Sequence, residues 1–209
     1  MDTAPTGMSP RPYHHGDLKA ALLAQAEAIL ETQGIRALTL RAAARAAGVS
    51  HAAPRNHFHD LTGLLSELAA AGFHRFGAEV AGAMAAAGDD PRERIMAMGR
   101  AYVGFARAHP GLFTLMFRSE QIDPGRPALR DAIRAARQVL QAATLARAGG
   151  GALPPLELAA QATALWSLVH GFAVLLLNGR LDGTIRSLPG GVTAEELLEA
   201  VLATVRVGA

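Results

Sequence analysis

The chain has 209 residues, of which 50% are hydrophobic and 18% are charged, with a formal net charge of +2 and no cysteine. This composition is typical of a folded globular protein with a sizeable core. The lack of cysteine excludes disulfides, thiolate zinc sites and cysteine nucleophiles. The longest apolar run, Leu165 to Leu177, is shorter than the roughly 20 residues that span a bilayer, and no apolar signal region stands at the N-terminus. We therefore expect a soluble, cytoplasmic protein without a membrane segment.

Residues 1–12 contain proline, threonine and serine and are predicted to form a flexible arm. The first helix is predicted from about Asp17 to Gln33, where Gly34 ends it. The adjacent histidines before it do not predict a metal site, because neighbouring side chains point apart and no third ligand lies at a useful spacing. The apolar positions of the helix repeat at helical spacing and form one packing stripe: Leu18, Leu22, Ala26, Ile29 and Leu30.

Residues 39–65 predict two short helices, a tight turn and the start of a third helix. Thr39 is a good N-cap for the first of them, and Gly48 ends it because glycine enters the left-handed conformation without a steric cost. Ser50 is predicted to cap the second helix, where Pro54 indicates an irregular first turn. Two helices joined by a three-residue turn with glycine are the signature of a helix-turn-helix, whose second helix enters the major groove of DNA.

The charge of this stretch supports DNA binding. From Ile35 to His59 there are four arginines and no acidic residue, a local charge of +4 in a chain whose total is +2. Such a basic surface releases counterions from DNA. Asparagine can bond adenine and alanine can contact the thymine methyl group, although Asn56 and His57 have the alternative role of a cap or phosphate contact, which we favour for His57. The predicted DNA-binding residues are Thr39, Arg41, Ser50, His51, Ala52, Ala53, Arg55, Asn56 and His57.

The remainder of the chain predicts more helices and no strand. We expect a DNA-binding domain over residues 13–60 and a larger domain over residues 61–209 that dimerises. A helix over about 61–87 connects the two. The whole chain is therefore predicted to be all-α, with a three-helix unit, a helical bundle and about nine helices. The further helices are predicted over about 91–108, 112–117, 127–147, 156–178 and 193–207.

Two of these helices predict a homodimer. The helix over 156–178 is apolar almost all round from Leu165 to Leu177, which indicates burial on every side. In a chain of this size, such burial suggests a partner subunit. The helix over 193–207 begins with a capping box, Thr193 and Glu196, and carries its own apolar stripe. Two such helices from each subunit would form a four-helix interface.

The large apolar side chains of the body have two interpretations. The segment LFTLMF, residues 112–117, is either ordinary core or one wall of a ligand cavity. His170 shares a helix face with Trp166 and is either a packed core histidine or a ligand contact. The arginines at 126, 130, 134 and 137 are interpreted as a solvated helix face. The predicted pocket residues are Phe105, Phe113, Met116, Phe117, Trp166 and His170.

Residues 13–77 resemble the DNA-binding region of TetR-type transcriptional repressors. The matching features are the YHHGDL start, the long first helix before TLRAAARAAGVS, the His57–Phe58 pair and the DLTGLL opening of the next helix. This order of features is far more specific than a bare helix-turn-helix pattern. The family commonly has a phosphate-contacting tyrosine at the position of Arg55, where arginine would provide a charged contact. Leu61 replaces a lysine that binds phosphate in many members, so that contact is not expected here.

The resemblance extends over nearly the whole chain. HPGLFTLMF, residues 109–117, is similar to a segment of one TetR subgroup, and Trp166 with His170-Gly171 resembles the pattern of the WHG C-terminal domain. The resemblance implies that the domain over residues 61–209 binds a ligand. It also implies a homodimer that binds a palindromic double-stranded DNA operator and is released by a small-molecule effector. The aromatic and aliphatic side chains indicate an apolar or amphipathic effector. Repression is the commoner mode in that family, and activation stays open as the alternative.

Two other classes of function are alternatives to a ligand-responsive repressor. An architectural DNA-binding protein without an effector would have a tightly packed body, whereas a cavity would argue against it. The sequence disfavours an enzyme, because it has no Gly-rich phosphate loop, no HExxH motif and no G-x-S-x-G motif. We predict no catalytic residue, no cofactor and no metal site.

Overall fold

The computed structural model describes residues 15–147 and 154–204, so the predicted arm of residues 1–12 lies outside the described residues. Within those two ranges the chain forms ten α-helices, two short 3-10 helices and no strand, which confirms the all-α fold. We call α1–α3 the head and α4–α10 the body. The α-helices are α1 (His15–Gln33), α2 (Leu40–Ala46), α3 (Ala53–Phe58), α4 (Leu61–Ala86), α5 (Pro91–Ala108), α6 (Pro110–Phe117), α7 (Pro127–Arg147), α8 (Pro155–Leu177), α9 (Asp182–Ser187) and α10 (Ala194–Thr204).

The helix that the sequence prediction missed is α9. Its six residues, DGTIRS, make fewer than two turns, which is too short for a helical repeat of apolar residues to be recognised. The other body helices begin within one or two residues of their predicted starts, and α4 to α8 also end within one residue of their predicted ends. The start of α6 differs most from the prediction: this helix begins at Pro110 and not at residue 112, because proline is favoured in the first helical turn.

The central helix of the body is α4, which packs against α5, α6 and α7. Its buried Phe76 meets the rings of Tyr102 and Phe105 edge-on, with centroids 4.9 and 5.3 Å away. Such pairs contribute about 0.5–1.5 kcal/mol beyond the burial of their area. Since α4 also touches α1 and α3, one rigid helix joins the core of the body to the head.

The two residues predicted to mark the ends of α2, Thr39 and Gly48, do so in the structure. Thr39 is its N-cap, and the Thr39 hydroxyl accepts a hydrogen bond from the Ala42 N–H at 3.0 Å. Gly48 adopts φ of 68°, and the next N–H, that of Val49, bonds back to the carbonyl of Ala44 at 3.0 Å. This is the Schellman arrangement, which satisfies carbonyls at a helix end and reverses the chain toward α3.

The prediction that Ser50 caps the second helix of the motif was wrong. That helix, α3, begins at Ala53, and Ala52 occupies the N-cap position with no side-chain hydrogen bond. Pro54 lies in the first turn, where the missing N–H is not needed and the fixed φ favours helix, so the start moves toward the proline. Ser50, His51 and Ala52 therefore form an exposed turn ahead of α3.

The head is joined to α4 by a close approach at Gly63. The carboxylate of Asp60 caps α4 by accepting a hydrogen bond from the Gly63 N–H at 2.7 Å. A Cβ at Gly63 would lie 1.9 Å from the carbonyl oxygen of Phe58, the last residue of α3. Only glycine permits this contact, so the orientation of α3 on the body depends on the absence of a side chain here.

Gly63→Ala should move or destabilise α3. The new methyl group would overlap the Phe58 carbonyl, at a cost of about 1–3 kcal/mol in the free energy of unfolding, measured by urea denaturation. Gly82→Ala is the matched control, because Gly82 lies in the same helix and a Cβ there meets nothing. That substitution should raise stability by up to about 1 kcal/mol. Equal stability of the two variants would contradict the close approach.

Candidate nucleic-acid interface and ligand cavity

The α3 helix has one buried and one exposed face. Pro54 and Phe58 are buried in the head, whereas Arg55 and Asn56 are exposed. Three further predicted DNA-binding residues are exposed in the turn before α3, and two are exposed at the start of α2. The other two predicted residues are half-buried. In chain order the exposed ones are Thr39, Arg41, Ser50, His51, Ala52, Arg55 and Asn56, and the half-buried ones are Ala53 and His57.

The basic charge of the head is available to a ligand. All four arginines between Ile35 and His59 are exposed, and none of them forms an ion pair within the described residues. Two of the four, Arg36 and Arg45, were not among the predicted DNA-binding residues, although the charge count of the stretch includes them. Exposed, unpaired guanidinium groups are the groups that neutralise DNA phosphates.

Ionic contacts from α1 hold the head against the body. Lys19 bonds Glu67 of α4 at 2.9 Å, and Glu27 bonds Arg75 of α4 at 2.6 Å. One turn further along α1, the Glu31 carboxylate reaches the start of α6. Its Oε2 accepts a hydrogen bond from the Gly111 N–H at 2.8 Å, and its Oε1 accepts one from the Leu112 N–H at 2.9 Å.

The Glu31 contact supplies what α6 lacks in its own sequence. His109 precedes α6 as its N-cap and forms no side-chain cap hydrogen bond. The first N–H groups of a helix have no partner within the helix and carry the positive end of its dipole. A carboxylate from α1 therefore caps α6 from another helix and joins the head to the body.

Further along α6 lies a cavity of about 470 Å³ among α4, α6, α7 and α8. This volume falls in the range of roughly 300–1,000 Å³ that small-molecule sites occupy. Its walls are mostly aromatic and aliphatic, with Arg137, Gln141 and Thr163 as the polar members. The apolar lining consists of Phe73, Phe76, Met116, Phe117, Ile133, Ala136, Leu140, Ala159, Ala162 and Trp166.

Three of the six predicted pocket residues, Met116, Phe117 and Trp166, line this cavity. The other three do not line it. Phe113 and His170 lie behind Phe117, with ring centroids 4.9 and 4.7 Å from its ring. Phe105 packs on the far side of Phe76. The sequence does not predict the contribution of α7, because its lining residues stand among arginines that the helical spacing assigns to a solvated face.

A chain of hydrogen bonds orients the polar groups beside the cavity. The Trp166 indole N–H donates to the Tyr102 oxygen at 3.1 Å, and that hydroxyl lies 3.0 Å from His170 Nδ1. Because indole only donates, the Tyr102 O–H is left to donate to His170, which then carries its own proton on Nε2. Burial raises the pKa of Tyr102 and lowers the pKa of His170, so both groups are held neutral.

The α8 helix has an apolar outer face. Its buried residues, among them Leu165 and Val169, pack into the body. On the other side Leu156 is 82% exposed, Leu175 is 46% exposed and Val174 is 36% exposed. The prediction of burial on every side therefore does not hold within one chain. By length and composition alone, this helix is apolar enough to cross a membrane, but one of its sides belongs to the core.

The predicted partner of α8, helix α10, packs on α5. Leu198 and Leu202 are its buried residues, and a Cβ at Gly99 of α5 would lie 2.5 Å from the Leu202 side chain. Two ion pairs, Arg100–Glu199 at 2.9 Å and Arg107–Glu195, flank this contact. The predicted end of this helix, residues 205–207, lies outside the described residues.

Comparisons with known proteins assign a family to this arrangement. Residues 95–205, just over half of the chain, match the family described as "Tetracyclin repressor-like, C-terminal domain". The chain belongs to the TetR family. Several similar solved structures are named as TetR-family transcriptional regulators and not as enzymes. Among curated proteins, none matches the sequence. The family match does not address the WHG pattern around Trp166, which stays a prediction.

Several solved structures share the fold of this chain. A protein of unknown function from Rhodococcus sp. RHA1 is 35% identical, with a TM-score of 0.78, and the match covers 93% of this chain and 96% of that one. The TetR family transcriptional regulator PfmR from Thermus thermophilus shares the fold at 19% identity, with a TM-score of 0.58 and coverage of 87% and 94%. A regulatory protein of the TetR family from Rhodococcus RHA1 does so at 22% identity, with a TM-score of 0.59 and coverage of 90% and 96%.

Glu31→Gln should weaken the contact between head and body. The amide can accept only one of the two N–H bonds and has no charge to offer the α6 dipole, so we expect a loss of about 0.5–2 kcal/mol in the free energy of unfolding. Glu79→Gln on α4 is the control, since Glu79 is exposed and forms no ion pair within the described residues. Equal urea midpoints for the two variants would show that the Glu31 contact contributes no stability.

Proposed function

We propose that this TetR-family chain is a cytoplasmic, homodimeric transcriptional repressor that a small molecule releases from a palindromic operator. The observation that supports DNA binding most directly is the exposed, unpaired basic surface of a helix-turn-helix in a member of this family. In a two-fold dimer, the two α3 helices would enter successive major grooves about one helical turn of DNA apart.

Within this proposal the residues of the head divide into two roles. Arg55 and Arg41 contact phosphates, since exposed arginines bond phosphate oxygens at any sequence. Asn56, with the Ser50–Ala52 turn, reads base edges, because an exposed amide can bond adenine through two hydrogen bonds. The start of α3 at Ala53 supports this division, since it leaves the Ser50–Ala52 turn outside the helix with all three residues exposed.

The outer face of α8 supports the homodimer. Exposed apolar side chains along a helix in the body indicate an interface, because a lone chain gains nothing from leaving them in water. A second copy of the chain would cover this face by two-fold symmetry, with α8 against α8 and α10 beside it, as a four-helix interface.

The route from cavity to DNA that we propose runs through α6. Met116 and Phe117 near the end of α6 line the cavity, whereas Gly111 and Leu112 at its start are bonded to Glu31 of α1. An effector that displaces Phe117 would shift this short helix and, with it, the head. Couplings of this kind are typically worth about 1–3 kcal/mol, which is enough to release a repressor. The cavity is also the feature that disfavours the architectural alternative, which needs no effector site.

Arg55→Ala and Asn56→Ala should affect DNA binding differently. Loss of Arg55 should weaken binding to all duplexes alike and reduce the slope of log affinity against log salt by about 1. Loss of Asn56 should cost about 1–3 kcal/mol at the operator alone and relax the base preference at one position. The measurement is fluorescence anisotropy on operator and scrambled duplexes at several salt concentrations. A selective loss with Arg55→Ala, or a uniform one with Asn56→Ala, would reverse the assignment.

Leu175→Glu should dissociate the dimer without unfolding the chain. Leu175 is 46% exposed in a single protomer, so a carboxylate there is tolerated in the monomer but would be buried and unpaired in the interface. Leu188→Glu is the control, because Leu188 is also exposed but lies outside α8 and α10. Sedimentation velocity should find a monomer for the first variant and a dimer for the second. A dimeric Leu175→Glu protein would exclude this face from the interface.

A further inference from the structure

A second cavity of about 460 Å³ adjoins the aromatic one along α7. The two share three residues, Ile133, Arg137 and Gln141. They therefore meet at one point on α7, where the apolar wall gives way to a polar one. The remaining lining of the second cavity is mostly polar: Pro124, Arg130, Arg134 and Gln138.

The charge of the second cavity has one sign. Three arginines line it, and no carboxylate does. Arg130 and Arg134 share one acid, Asp131. The nitrogen–oxygen distance between Arg130 and Asp131 is 3.7 Å. Arg137 forms no ion pair within the described residues and is the charged residue common to both cavities. The junction of the two cavities is therefore left with uncompensated positive charge.

These arginines differ from Arg126, which directly precedes α7 and belongs to the same series in the sequence. Arg126 is half-buried between Asp60 and Asp123, with nitrogen–oxygen distances of 3.9 and 4.0 Å, and joins the start of α7 to the N-cap of α4. Its charge is thus compensated by acids on either side. The interpretation of all four as one solvated face does not separate these roles, because sequence spacing alone does not reveal which of them border a cavity.

We propose that the effector is an anionic amphiphile, with an apolar chain or ring in the aromatic cavity and an oxyanion, carboxylate or phosphate, at Arg137. This inference rests on the proposed function and adds the chemical class of its ligand. An apolar tail gains from burial against Phe73, Phe117 and Trp166, and its head group gains a charge-assisted hydrogen bond. A cationic amphiphile would place its charge against arginine, and a neutral one would leave Arg137 without a partner.

The experiment uses the position of Trp166, which lines the aromatic cavity and is the only tryptophan of the sequence. Its fluorescence reports occupancy of the cavity directly, without DNA. Four probes of equal chain length are titrated into the dimer: octanoate, octyl phosphate, 1-octanol and octylammonium. We expect the two anions to bind about fivefold or more tighter than octanol and octylammonium to bind most weakly. The ratio of octanoate to octyl phosphate affinity identifies which oxyanion the site prefers.

Three variants separate a charge effect from a change of shape. Arg137→Gln should remove the preference for octanoate over octanol and leave octanol affinity unchanged, whereas Arg137→Lys should retain most of the preference. Arg92→Gln, at an exposed arginine of α5 remote from both linings, should behave as the wild type. Equal binding of octanoate and octanol to the wild type, tighter binding of octylammonium, or loss of both ligands in Arg137→Gln would overturn the inference.

The ligand class and the repressor function are tested by different measurements. Selective binding of ligand-free protein to an operator, with no preference of the Trp166 site for anions, would overturn the ligand class alone. Anion binding at Trp166 in a protein that shows no selective DNA binding would overturn the repressor alone. Release of operator DNA by octanoate and not by octanol, abolished by Arg137→Gln, supports both.

Discussion

The connection between head and body depends on a carboxylate that caps a helix to which it does not belong. Glu31 of α1 accepts hydrogen bonds from the first free N–H groups of α6, a helix that has no cap in its own sequence. Buried helix ends need such partners, so α6 cannot move without disturbing α1. Together with the close approach of α3 to Gly63, this contact fixes the head on the body. A displacement of the end of α6 that lines the cavity is therefore either resisted by Glu31 at the other end or passed on to α1.

Most of the fold could be predicted because its helix boundaries are marked by local chemistry. Thr39 and Gly48 act within a few residues of the chain, and each bounds a helix in the structure as expected. The prediction from Ser50 was wrong because two local signals competed: Ser50 favours a helix start directly after it, whereas Pro54 favours a start next to itself and determines where α3 begins. The helix α9 was missed because six residues are too few to show a period.

The candidate sites were predictable to different degrees for a physical reason. A DNA-binding surface is made from one contiguous stretch, so composition and charge between residues 35 and 59 indicate it. A cavity is made where four helices meet, and its lining depends on distances that sequence spacing does not contain. Trp166 and Phe117 were found because large aromatic residues are conspicuous, whereas Ala136, Ala159 and Ala162 line the cavity by being small. Arg137 is solvent-exposed, as the sequence predicts, but it also lines the cavity. Sequence spacing does not predict the second property, because an exposed side chain can still border a cavity.

Amide hydrogen exchange at the start of α6, with and without bound operator, tests the coupling most directly. The operator is first selected from random duplexes, and exchange is then followed in peptides that contain Gly111 and Leu112. If the head and α6 act as one unit, DNA held at α3 should slow exchange at these two amides, although they lie in the body and contact Glu31 of α1 instead of DNA. Unchanged exchange at these amides, with protection confined to the head, would contradict the account.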